Sequence, residues 1–527
     1  MPKIIRLFFL AIPCVFARDS YYFLFFSKEI VVKNYTYPLS HQVYTAEQVR
    51  ELDRLAMASG SSGLSLMIRA GQFMFDSIRQ SRPNAKSLLI FCGVGNNAGD
   101  GYIIARLALE ADMIVQVVQL GGSLQGDALL AQTEYFSQGG KYETFDFTKK
   151  YTAEIIVDAL LGTGLSRNVE GEWAKAIAAI NACSTSAYIT AVDIPSGLNA
   201  TTGALMGDAV IADETVTFVA RKCGLYTGKA RDYVGKLRFS DLAIADSIKQ
   251  QFKQTISKKK YYLLDHTINL PKRKATAHKG SYGHVLFIGG TVGMSGSIRM
   301  AAEAALTVGA GLITVLTHPS HAAWLSLNRP ELMVNGIESP NELLPYLHRA
   351  NVIAIGPGLG TDQWGRELFN ACLATEHDKI IDADGLNLLS HLSISRDNWV
   401  LTPHSGEAAR LLGVTAQAIE MDRYYAAIKI QQHYSGYCIL KGAGSLITDG
   451  KQIAISTLGN PGMATAGMGD VLTGIIAGLR AQGMTLQTAA RLGVTLHAKA
   501  ADLAVAEKGE RGLFATELYP YLRTLVN

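Results

Sequence analysis

The run Gly459-Asn460-Pro461-Gly462-Met463-Ala464-Thr465-Ala466-Gly467-Met468-Gly469-Asp470 leads into an apolar stretch from Val471 to Ala481. A glycine-rich turn that opens a helix leaves backbone N–H groups without intrahelical partners, and such a turn makes an anion hole for phosphate. A carboxylate beside that hole would repel a phosphate that merely binds there. Asp470 is better placed to take a proton from a hydroxyl that attacks a phosphorus atom. The plainer alternative is an Asp that caps the helix.

A second group of candidates lies in the first half. Gly93-Val94-Gly95-Asn96-Asn97-Ala98-Gly99-Asp100-Gly101 falls between an apolar run and a helical pattern, where a doubly wound sheet places its phosphate turn. Gly93, Gly95 and Ala98 nominally fit a dinucleotide fingerprint. The next strand, however, ends at Leu120 in Gly121-Gly122, where a dehydrogenase would carry an acidic residue for the ribose. Asn96, Asn97 and Asp100 also supply more polar groups than a phosphate turn needs, so an ordinary NAD-dependent dehydrogenase is disfavoured. Asp158, in Val157-Asp158-Ala159-Leu160, and Asp193, in Val192-Asp193-Ile194-Pro195-Ser196, end two further apolar runs. One strand-end Asp is as well explained by a cap or a turn. Three polar strand ends, with Asn97, Asp158 and Asp193, point to a site at the carboxyl edge of one sheet.

The elements that must hold these groups alternate. Strands are expected at Ser87 to Cys92, Met113 to Leu120, Ile155 to Leu160 and Tyr188 to Asp193, with helices at Asp100 to Glu110 and Trp173 to Ile180. Thr45 and Gln48 are spaced as a capping box for a helix through Leu52 and Leu55. Residues 247–262 are polar and basic and read as a solvated linker. Beyond them, strands are expected at His284 to Ile288, Leu312 to Thr317, Val352 to Ile355, Lys379 to Ile381, Trp399 to Leu401 and Tyr437 to Leu440. Helices are expected at Ser297 to Val308, Asp470 to Ala481 and Leu486 to Val505. This βαβ rhythm implies α/β architecture with mainly parallel sheets and helices on both faces. Different glycine motifs in the two halves argue for two distinct domains, at 44–246 and 263–527, and against an internal repeat.

With 527 residues, 48% hydrophobic and 18% charged, the chain has material for two sizeable cores and is not a disordered protein. A net charge of +4 is too mild for a nucleic-acid footprint. Six scattered Cys, with no C-x-x-C pair, suit reduced thiols rather than a disulfide framework or a zinc site. Residues 1–43 read as an extension. Basic Met1 to Arg6 and apolar Leu7 to Ala17 resemble the start of a signal peptide, with a misplaced start as the alternative. The apolar run is shorter than the about 20 residues that span a bilayer. The expected location is cytoplasmic, with no stable membrane span.

The turn Gly-Asn-Asn-x-Gly-Asp-Gly at 95–101 and Asp-Ile-Pro-Ser-Gly-Leu-Asn at 193–199 resemble the NAD(P)H-hydrate epimerase domain, over about Tyr44 to Leu242. That resemblance implies a Rossmann-like αβα sandwich and a potassium ion held by Asn97, Asp158 and Ser196. It further implies substrate contacts from Asn96, Asn97, Ala98, Gly99 and Asp100, and from Gly162, Thr163, Gly164, Leu165, Ser166, Arg167 and Asn168. Asp193 would be the acid/base group at the reacting carbon. A hard cation does favour amide, carboxylate and hydroxyl oxygens. Thr201 stands where many members carry an acidic residue.

The Gly-x-Gly-Asp turn at 467–470 resembles the ribokinase-like fold. Further motifs narrow the likeness to the NAD(P)H-hydrate dehydratase family, from about Leu263 onward. They are Lys279-Gly280-Ser281-Tyr282-Gly283-His284, Gly356-Pro357-Gly358-Leu359-Gly360, Asp382-Ala383-Asp384-Gly385-Leu386-Asn387, Thr402-Pro403-His404-Ser405-Gly406-Glu407 and Lys441-Gly442-Ala443-Gly444-Ser445. By that resemblance Lys441, Gly442, Ala443, Gly444, Ser445 and Gly469 hold an adenine nucleotide, ADP with Mg2+. Ala302, Gly358 or Gly360, His404 and Asp470 contact hydrated NADH or NADPH, and a homo-oligomer, a tetramer as the candidate size, goes with it. Two rivals stay open: a vitamin-precursor or sugar kinase with a non-catalytic first domain, and a partner-binding protein.

Overall fold

The computed structural model describes residues 41–255 and 260–527; residues 1–40 of the expected extension lie outside them. Eighteen strands are described: β1 Gln42–Val43, β2 Ser87–Cys92, β3 Ile114–Gln119, β4 Tyr142–Thr144, β5 Ile155–Ala159, β6 Tyr188–Val192, β7 Glu214–Phe218, β8 Lys236–Ser240, β9 Lys260–Leu263, β10 His284–Ile288, β11 Leu312–Thr317, β12 Met333–Gly336, β13 Val352–Ile355, β14 Asp378–Ile381, β15 Trp399–Leu401, β16 Tyr437–Leu440, β17 Leu446–Thr448 and β18 Gln452–Ile455.

The first half forms a seven-stranded sheet in the order β4-β3-β2-β5-β6-β7-β8, every pair parallel. Buried on both faces, parallel strands lose the polar/apolar alternation and read as apolar runs, as β2 and β5 do. β7 was not expected because its sequence, Glu-Thr-Val-Thr-Phe, is polar. Its Glu214 is nevertheless buried, accepting from Arg238 Nε at 2.9 Å and Ser77 Oγ at 2.8 Å. The chain leaves β2 for β3 on one side and places β5 on the other, so the switch point lies between β2 and β5. Ligands bind at that crevice in open α/β sheets.

The second half builds a sheet in the order β1-β9-β18-β17-β16-β15-β14-β13-β10-β11-β12, parallel from β12 through β16 and antiparallel across β16, β17 and β18. Its switch point falls between β10 and β13. The long helices Ser295–Thr307, Met468–Ala481 and Leu486–Lys508 match expectation closely, and Thr45 with Gln48 forms the expected capping box.

The domain boundaries need correction. Asp246–Thr255 is a helix with Ile248 and Phe252 buried in the first half's core, rather than a solvated linker. β9 is already part of the second sheet. β1, the last two residues of the expected extension, crosses over: Gln42 and Val43 pair antiparallel with Tyr262 and Tyr261. The next residue, Tyr44, returns to the first half, donating from its N–H to Arg221 O at 2.8 Å and accepting from Cys223 N–H at 2.9 Å.

Candidate active sites

In the first half a cavity of 820 Å³ opens at the β2/β5 switch point. Helix Asn96–Glu110 begins four residues earlier than expected, so Asn96 and Asn97 sit in its first turn. They line the cavity with Asp100, the loop Gly162 to Asn168, and Asp193. Ala98 and Gly99 sit behind it: Ala98 is in the core, and a Cβ on Gly99 would lie 2.5 Å from Met67 Sδ. Asp193 has a left-handed backbone (φ 65°), a conformation that most residues avoid and that persists where surrounding bonds enforce it. Its carboxylate accepts from Phe218 N–H at 3.0 Å and Thr217 Oγ1 at 3.2 Å, and it is ion-paired with Lys222. Lys222 Nζ is buried and also donates to Phe218 O at 2.7 Å and Thr217 Oγ1 at 3.0 Å.

Two more carboxyls share this cavity. Asp53 comes from helix Ala46–Ala58. Burial pushes it up to about 6, Lys222 draws it down and Asp193 adds to the rise. Burial, with Asp193 and Asp53 adding, raises Asp100 well above the carboxylate range, against a smaller pull from Lys222. Burial and mutual repulsion thus push Asp53 and Asp100 toward the protonated form beside the Asp193–Lys222 ion pair. Beside it, Asp158 is fully buried. It accepts from Ser196 Oγ at 2.6 Å, Ser196 N–H at 2.7 Å and Leu160 N–H at 3.2 Å. Burial pushes it up to about 6 and no charged side chain acts on it. The buried Asn97 amide keeps its Nδ2 without a partner.

In the second half Gly467 precedes the Asp470 helix with φ 89°, a left-handed turn that a Cβ would strain. Asp470 lies in the first helical turn. Burial and the charge of Asp382 push it up to about 6, while a hydrogen bond from Ser297 opposes them. Lys441 Nζ donates to Asp382 at 2.7 Å and lies 3.8 Å from Glu407. Asp382 is fixed by Thr402 Oγ1 at 2.8 Å and Thr473 Oγ1 at 2.9 Å. A Cβ on Gly469 would lie 3.1 Å from Lys441 Nζ, so the glycine turn and the lysine are in direct contact. His404 does cap its helix: Nδ1 accepts from Gly406 N–H at 2.9 Å and Glu407 N–H at 3.3 Å. Its side chain stays 55% exposed. Gly358 sits against Ser297, and Gly360 N–H donates to Asp384 at 2.9 Å. Ala302 is the exception among the candidates. It is fully buried on helix Ser295–Thr307, and Ser297, in the first turn of that helix, is the residue that meets Asp470.

Residues 285–523 match the NAD(P)H-hydrate dehydratase family, and residues 63–224 match the YjeF-related protein N-terminus. The bifunctional NAD(P)H-hydrate repair enzyme Nnr of Coxiella burnetii is 46% identical, over 92% of this chain and 99% of its own length. The chain belongs to the bifunctional NAD(P)H-hydrate repair enzymes. The Escherichia coli member is 41% identical over 93% of this chain and 95% of its own. Among solved structures, a ribokinase-like superfamily protein of Enterococcus faecalis is 32% identical, covering 51% of this chain and 96% of its own, with a TM-score of 0.47.

Within this repair-enzyme chain, sequence reasoning missed Asp53, Lys222, Ser297 and the anchoring role of Asp382. Asp382 sits in a quoted motif, and Ser297 opens an expected helix, so both carried a signal. Asp53 and Lys222 carried none, because each is one charged residue on an otherwise ordinary amphipathic or loop segment.

Proposed function

We propose that the first half interconverts the R and S hydrates of NADH and NADPH, and that the second half dehydrates the S hydrate at the expense of ADP. The observation that carries this reading is the separation of two acid–base sites, one around Asp193 and one around Asp470, each built at the carboxyl ends of strands of its own sheet. In the second site Asp470 takes the proton of the hydrate's hydroxyl, whose oxygen attacks the terminal phosphorus of ADP. AMP leaves, and loss of phosphate from one ring carbon together with a proton from its neighbour then restores the nicotinamide double bond. Lys441 faces the phosphates, held in place by Asp382. In the first site the hydroxyl leaves one face of the ring and returns to the other, so protons must be supplied and removed. Asp193, Asp53 and Asp100 line the cavity around that position and are the groups that would supply and take up those protons.

The direct test follows absorbance recovery from a mixture of NADH hydrates on purified protein with ADP, ATP or neither. Full recovery with ADP is expected, through the S hydrate and then the R. Phosphorylated product without NADH would instead mark a kinase. Mg2+ fits as an ion carried on the nucleotide's phosphates. No helix among the described residues is long and apolar enough to cross a membrane. A cytoplasmic location and a homo-oligomer go with this reading, with fractionation and light scattering as their checks.

Potassium fits the first half for a physical reason: Asp158 is a buried carboxylate with no cationic side chain acting on it. A monovalent ion there would be held by Asp158, Asn97 and Ser196 and would supply the missing positive charge. The sign follows from linkage. Asp158 titrates in the fold at about 6, above its ordinary 3.8, so keeping it ionised costs stability as pH rises from 3.8 through 6. A cation offsets that cost. The melting temperature should therefore be higher in KCl than in choline chloride at pH 8, and equal in the two salts at pH 4.5. Asp158→Asn should abolish the difference at pH 8. An equal gain in the Asn variant would place the ion elsewhere.

A further inference from the structure

We infer that the first half of the chain builds part of the second half's nucleotide site, with Thr227 as a positioning residue for ADP. This rests on the reading that Lys441 to Ser445 holds the nucleotide. Thr227 belongs to the segment that follows Lys222, yet its polar contacts lie across the molecule. Its Oγ1 donates to Gly444 O at 2.8 Å and lies 3.3 Å from Ala443 O. The neighbouring Gly228 N–H donates to Ala443 O at 2.9 Å. Thr227 Oγ1 in turn accepts from Arg423 Nε at 3.0 Å, and Arg423 Nη2 donates to Lys441 O at 3.1 Å and Leu440 O at 3.3 Å. Thr227 is 0% exposed and Arg423 1% exposed. Buried polar groups with several partners fix geometry, because any partner lost leaves a desolvated group unpaired.

The approach is at backbone distance. Gly444 has φ 66°, and a Cβ there would lie 1.9 Å from Tyr226 O and 2.8 Å from Thr227 Cα. No other residue fits without moving the two halves apart. The consequence for a ligand follows from peptide geometry. In a planar trans peptide the C=O and the following N–H point in opposite directions. With the carbonyls of Ala443 and Gly444 drawn toward Thr227 and Gly228, the N–H groups of Gly444 and Ser445 point away from the first half. Two adjacent N–H donors held in one direction make a preformed seat for the anionic or carbonyl-like edge of a nucleotide. Without Thr227 the turn must be ordered when the nucleotide arrives, and binding weakens by that cost.

The test is Thr227→Val, which keeps the shape and removes the hydroxyl. KM for ADP should rise about tenfold, the worth of one lost buried hydrogen bond, with kcat changed less than about threefold. Calorimetric Kd for ADP should move by the same factor. Epimerisation, which does not use Thr227, should be unchanged and certifies the fold. Thr227→Ser restores the hydroxyl and should restore ADP binding. If the Val variant is insoluble, Thr227→Cys, with similar size and a weak donor, is read the same way. An unchanged KM in T227V, or an equal loss in T227S, overturns the inference. Ala443→Asp separates the two layers of the argument. It puts a negative charge on the exposed side of the turn, and ADP binding unaffected by it would show that the nucleotide sits elsewhere, overturning the reading of the turn together with this inference.

Discussion

Asp470→Asn lowers dehydration by about 10² to 10⁴-fold, the usual worth of a general base, while leaving the protein folded and epimerisation intact. The amide keeps the volume, and the helix start rests on Gly467 rather than on a side-chain cap from residue 470. ADP affinity holds or improves, because a negative charge beside the phosphates is gone and the backbone N–H groups remain. The wild-type enzyme should reveal the same group by pH. Burial and Asp382 hold Asp470 at about 6, and only the ionised form accepts a proton. The dehydratase kcat/KM should therefore fall about tenfold per unit as pH drops below 6, and the Asn variant should lose that limb. A variant that retains more than a tenth of the rate would move the base to another group, with His404 the nearest candidate by motif.

Asp193→Asn gives the complementary loss. Epimerisation should fall by about 10² to 10⁴-fold, while dehydration of pure S hydrate proceeds at the wild-type rate. A mixture of hydrates then shows two phases: a fast recovery equal to the S fraction, and a slow one at the spontaneous rate of R conversion. The variant also leaves the buried Lys222 ammonium facing a neutral amide oxygen instead of a carboxylate, so a modest drop in melting temperature accompanies it. Recovery in a single fast phase would mean that Asp193 is not required, and that Asp53 or Asp100 handles the proton alone.

Much of the architecture was readable because buried parallel strands are apolar runs and glycine turns are local in sequence. The turn at 467–470 needed no tertiary information, and neither did the strand-end positions of Asp158 and Asp193. Pairings across long separations were not readable. Lys222 reaches Asp193, Lys441 reaches Asp382, and Asp53 arrives from a helix outside the motif-bearing stretch; charge type alone cannot choose among such partners. Ala302 and Ser297 share one helix, and only its placement decides which of them faces the site. The segment near 250 failed for a different reason. Its composition is polar overall, yet Ile248 and Phe252, four residues apart on one helical face, carry the contrary signal.

The antiparallel pairing of Val43 with Tyr261 sets a clock on synthesis. At about 5–20 residues per second, Val43 leaves the ribosome roughly ten to forty seconds ahead of its partner strand. β9 itself lies between β1 and β18, so a stable berth waits longer still, until Ile453 to Ile455 have emerged. Throughout that interval the nascent first half has its helices and its cavity but a loose leading strand, an edge open to pairing with another chain. Crowded polysomes making this protein should thus be the place where it aggregates, and a chaperone that shields extended segments should raise its yield more than one that acts on finished domains.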